Sequence, residues 1–147
     1  MTQLAQVVAL AAALVNVMAG AVGAWRWWQV EPSRTFWLLC RAGQALAVGQ
    51  AVVAGVLAAL GFDPADGLYW LYALLPVAVS FVAEQLRVTA AETVLHDAGL
   101  ENAQAVGELD EGRQRSVVLS IVRREMGVMT AGAFVVAFLA LRAWGTA

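Results

Sequence analysis

Four apolar runs, each about as long as a lipid bilayer is thick, leave this chain few ways to fold. They cover Leu4 to Trp25, Phe36 to Leu60, Leu68 to Val88 and Met126 to Trp144. About 20 helical residues cross the roughly 30 Å of hydrocarbon in a bilayer. A water-soluble helix bundle would show a polar stripe along each helix, and these runs have none. The composition agrees, with 61% hydrophobic residues in 147 and a mean hydropathy of +0.71. The expected fold is an all-α integral membrane protein in which four transmembrane helices form one antiparallel bundle, a single domain over residues 1–147.

The second run is the informative one, because it carries Arg41, Gln44 and Gln50. A polar group taken into hydrocarbon without a partner is costly, so this helix is expected to face protein or a water-filled space. Gln44 continues the face of Arg41, whereas Gln50 shares the face of Gly43, Ala47 and Ala54, which predicts neighbours on both sides. In the first run Ala12, Asn16, Gly20 and Gly23 fall on one face at spacings of three and four. Small residues there allow close helix approach, and Asn16 can add an interhelical hydrogen bond. Arg41 lies about one and a half turns inside its run, from which its long side chain can reach the membrane surface. Glu84, late in the third run, should sit at a similar depth and form a half-buried pair with it. Arg41, Gln44, Gln50, Glu84 and Asn16 are therefore the candidate polar cluster, read as a structural clamp or as the gate of a polar path.

The connections carry their own signals. Trp25, Trp27, Trp28 and Trp37 crowd the first, interleaved with Arg26 and Arg34, as expected for an aromatic belt at a membrane surface. Glu31, Pro32 and Ser33 suit the start of the second helix. In the second connection, Asp63 or Asp66 can cap the third helix, whose opening Tyr69, Trp70 and Tyr72 form a second belt with Trp144. Pro76 should kink that helix. A secretory signal has basic residues ahead of its apolar run, whereas here Arg26 follows the run, so the first span is expected to be retained.

Helical pattern in the third and fourth segments outruns the membrane. It continues from Glu84 to a stop at Gly99, and it begins again near Arg115, well before Met126. Both surpluses lie on one side, so residues 89–125 are expected to form a projecting helical hairpin. Val94, Leu95 and Ala98 would pack on Val117, Val118, Ile121 and Val122, with Arg87 meeting Glu125 at the base. The acidic connection from Glu101 to Glu111 looks short of apolar anchors and is expected to be mobile. The hairpin residues expected to contact a partner are Arg87, Glu92, His96, Arg123, Arg124 and Glu125.

All nine basic residues are Arg, which accords with a GC-rich bacterial genome. Eight of them, all except Arg142, fall on the side of the first and third connections. By the positive-inside rule the hairpin is cytoplasmic and both termini are outside, in the plasma (inner) membrane.

Chemistry-bearing residues are few. One His rules out a bis-histidine haem from this chain alone, and the single Cys, Cys40, rules out an internal disulfide. Glu92 and His96 stand four apart beside Asp97, a spacing more common in surface neighbours than in metal sites. No phosphate-binding loop, dinucleotide turn or paired-cysteine motif occurs, and neither Ser80 nor Ser120 sits in a nucleophile-elbow context. A net charge of −2 gives no basis for nucleic-acid binding. No catalytic residue, cofactor or metal is expected. The expected partners are the lipid bilayer and either a second copy or another membrane protein. The expected role is an accessory, assembly or scaffold subunit acting by contact. The alternative is an oligomeric transporter or channel for small solutes or ions, with an intramembrane enzyme third.

Overall fold

The computed structural model describes residues 1–147. Four helices make up nearly all of it: α1 (Thr2–Gln29), α2 (Arg34–Ala59), α3 (Leu68–Asp97) and α4 (Glu111–Thr146), with a short 3-10 turn at Ala103–Glu108. There are no strands, and all four helices are long and apolar enough to span a membrane.

The helices meet along seams written in the sequence at alternating steps of four and three. The seam of α1 is Ala5, Ala9, Ala12, Asn16, Ala19 and Gly23, and that of α2 is Phe36, Cys40, Gly43, Ala47, Gln50, Ala54 and Leu57. On α3 the buried Tyr69, Ala73, Pro76 and Ala83 keep the same rhythm. A mean step of 3.5 keeps one stripe facing its neighbours along the whole helix. Each helix packs on two others in a ring, α1 on α2 and α4, and α3 on α2 and α4. One end of the ring gathers Ala5, Leu57, Phe62, Tyr69 and Ala147, and the other gathers Ala19, Phe36, Cys40, Ala83 and Met126. The seams are mostly Ala and Gly, while Leu14, Val48, Val52, Leu74 and Phe138 point outward. At Gly43 a Cβ would lie 2.6 Å from Asn16 Oδ1, so only glycine lets α1 approach that closely.

Three helix ends are closed the same way. After α2, Gly61 takes φ 76° while Gly61 N–H donates to Ala58 O and Phe62 N–H to Leu57 O. After α3, Gly99 takes φ 73° while its N–H donates to His96 O and that of Leu100 to Leu95 O. These are Schellman motifs, for which glycine is the favoured left-handed residue. α1 ends with the same two bonds, Val30 N–H to Trp27 O and Glu31 N–H to Arg26 O, but places Val30 at φ 55°. A β-branched residue there is strained. Ser33 Oγ accepts from Phe36 N–H at the start of α2, and Asp66 Oδ1 accepts from Leu68 N–H just ahead of α3, where Gly67 is the cap residue. α4 begins at Glu111, four residues before the expected Arg115, because Asp110 caps it by accepting from Arg113 N–H at Oδ2.

α3 and α4 run past the bundle, with 30 and 36 residues against 28 and 26 in α1 and α2. At 1.5 Å per residue α4 is about 54 Å long. The projecting parts pair through Val94, Val106 and Val117, with Leu95, Ala98, Leu100, Leu109 and Ile121 against them. Two expectations change here. Val118 is exposed and Val122 packs toward the main bundle, so the hairpin seam runs through Val117 and Ile121 only. The acidic connection is not without anchors. Asn102 caps the 3-10 turn by accepting from Ala105 N–H at 3.0 Å, and Val106 folds back between the two arms. A single valine flanked by Leu100 and Leu109 supplies the apolar contact that the charge pattern concealed.

Candidate functional site

The densest polar contacts lie where the hairpin leaves the ring. Arg41 on α2 donates from Nη1 to Glu84 Oε1 on α3 at 2.5 Å and to Gln44 Oε1 at 2.7 Å. Gln44 Nε2 donates to the same Glu84 oxygen at 2.8 Å, and Arg87 Nε donates to Glu84 Oε2 at 3.0 Å. Arg87 then reaches α4, where its Nη1 lies 3.6 Å from Glu125 Oε1. The result is an ionic ladder across three helices in the order Gln44, Arg41, Glu84, Arg87, Glu125. Its two guanidinium groups balance its two carboxylates. Both Glu84 oxygens are occupied by donors, which makes this carboxylate a junction rather than a free base. The side chain of Glu84 is 23% exposed and that of Arg41 54%, so solvent weakens the outer rung more than the inner one.

Tryptophans support the ladder from below. Arg87 lies over the Trp37 ring at 5.5 Å, and Arg123 lies over the Trp27 ring at 5.1 Å. Trp27 near the end of α1 and Trp37 near the start of α2 therefore each take a cation–π contact from one arm of the hairpin. Higher on the arms, Arg124 approaches Asp97 at 3.7 Å. Read as a belt alone, Trp27 and Trp37 gave no sign of this pairing, because the stacking partners are more than 45 residues away in sequence.

The other polar residues expected in the cluster stand apart from the ladder. Asn16 is buried, and its Nδ2 donates to Ala12 O at 2.8 Å and across to Gly43 O at 3.3 Å. Gln50 is 2% exposed, and neither end of its amide has a hydrogen-bond partner. It lies two helical turns along α2 from Gly43, about 10 Å away, so no continuous polar line joins it to Asn16. Glu92 and His96 are exposed on α3, and no three metal-ligating side chains of the chain converge. Buried Thr130, also without a hydrogen-bond partner, escaped sequence reading; its Oγ faces Gly23, and only the seam spacing of α4 hints at its burial. Between Asn16 and the ladder lies a cavity of about 10 Å³, lined by Cys40, Gln44, Ser80 and Met129 among others. At the opposite end of the ring, Phe62, Tyr69 and Trp70 stack edge to face, and Asp66 N–H donates to Thr146 O at 3.2 Å, tying the second connection to the end of α4.

Comparison with known proteins gives no matching family model, no matching characterised protein and no matching solved structure.

Proposed function

We propose that the chain crosses the plasma (inner) membrane four times as an antiparallel bundle, with both termini outside and the hairpin in the cytoplasm. In this setting it works by contact, as an accessory, assembly or scaffold subunit for another membrane protein. The inverted distribution of side chains supports insertion: Ala and Gly predominate in the seams, and Leu, Val and Phe are exposed on the outward faces. Small residues at the interface and large apolar residues toward lipid are what helix packing in hydrocarbon favours. Eight Arg residues on the hairpin side support the orientation.

One observation carries the contact role. The hairpin is held at both ends, by its own apolar seam at the tip and by the ladder and the two Arg–Trp contacts at the base. Such an arm offers Glu92, His96, Arg123 and Arg124 in a fixed arrangement, and a preformed surface binds without a large ordering cost. Native mass spectrometry after gentle extraction from native membranes tests this role. The expected spectrum contains a second, different protein in fixed ratio, and charge reversal at Glu92 and Arg124 releases it. A homo-oligomer alone contradicts the reading. Buried Gln50, with its amide unpaired, favours the second reading of an oligomeric transporter or channel. In that case Gln50→Leu would abolish a flux measured in liposomes.

A further inference from the structure

The cavity beside the ladder is small, and its mostly apolar wall is broken by three polar side chains. Its volume of about 10 Å³ is close to the least that admits one water molecule. Asn16, Gln44 and Ser80 are those three lining residues. The two N–H groups of the Asn16 amide are taken by Ala12 O and Gly43 O, which leaves Oδ1 free to accept. Gln44 uses one Nε2 hydrogen on Glu84 and has a second to give. The Ser80 hydroxyl can donate or accept. Asn16 itself is 3% exposed, so an acceptor this deep is expected to be paired.

We propose that this cavity is a binding site for a single water molecule, which donates to Asn16 Oδ1, accepts from Gln44 Nε2 and shares a hydrogen bond with Ser80 Oγ. Three partners are typical of a buried structural water. The water joins α1 to α3, two helices that face each other diagonally across the ring, and connects the ring interior to the ladder through Gln44. A metal cation of the same size is disfavoured, because the wall is formally neutral and the ladder beside it places two guanidinium groups against two carboxylates. The proposal stands independently of which role the hairpin serves.

Radiolytic hydroxyl-radical labelling tests it, because radicals formed from a bound water oxidise the side chains touching it. Met129 lines the cavity, whereas Met126, one turn away on α4, does not, and both are buried. In the intact protein in nanodiscs, Met129 is expected to oxidise several-fold faster than Met126. Ser80→Leu, which fills the cavity, should bring Met129 down to the rate of Met126. Equal rates in the unaltered protein overturn the proposal whether or not the variant folds. So does an unchanged Met129 rate in a folded Ser80→Leu variant. Replacing sodium with choline should alter neither the labelling nor the melting temperature; dependence on sodium would assign the site to a cation and overturn the water.

Discussion

Glu84 shows how much of this molecule rests on single side chains. It takes hydrogen bonds from Arg41, Gln44 and Arg87. Removing it leaves two guanidinium groups near one another without their shared counter-charge. Glu84→Ala should therefore lower the melting temperature in detergent more than Arg41→Ala does, since Arg41 is the more exposed partner. The double mutant should fall short of the sum by about 1 kcal/mol of coupling, as residues in one network do. Additive losses would mean that the two side chains act separately. Val30 makes an opposite prediction. It occupies a left-handed position that Gly61 and Gly99 fill at the ends of the next two helices. Relief of strain at a left-handed residue, roughly 1–2 kcal/mol, exceeds the entropy cost of a glycine, about 0.5–1 kcal/mol. Val30→Gly is thus expected to raise the melting temperature, and a fall would show that the valine side chain holds a contact worth more than the strain. Sequence pattern gave Gly99 as a helix stop but was silent about Val30, because nothing in a valine announces a positive φ.

At the scale of elements, the four helices were legible because their cause is local. Run length and apolar content fix them, and the spacing of Asn16, Gly20 and Gly23, or of Gly43, Ala47 and Gln50, already marks the inward faces. The depth argument that paired Arg41 with Glu84, and Arg87 with Glu125, also needed only helix length and turn position. The failures share a different cause. Apolarity alone places Val118 and Val122 in the hairpin seam, whereas a small rotation of α4 decides which residue of that run faces α3. Val106 was lost in an acidic stretch because a single buried valine makes no periodic signal. Its place between the arms has a measurable consequence. Val106→Asp, or Val117→Asp, should expose amides of residues 89–120 to rapid hydrogen exchange while leaving α1 and α2 protected. Uniform loss of protection across all four helices would mean that the hairpin and ring fold as one cooperative unit.

For the molecule as a whole, the physical picture is a ring of helices packed tightly through small residues, with two of its members carried onward as a braced arm. Asn16 ties α1 to α2 and the ladder ties α2 to α3 and α4, whereas buried Gln50 and Thr130 stay unpaired. The arm and its bracing suit a surface presented to a partner, and they have that meaning only if the arm lies in the aqueous compartment on the Arg-rich side of a membrane. A dual topology reporter tests this most directly. A periplasm-active phosphatase fused after Ala147 should be active, and the same enzyme inserted at Gly107 should be silent, with a cytoplasm-active reporter giving the converse. A silent fusion at Ala147 together with an active insertion at Gly107 would invert the protein and contradict the account.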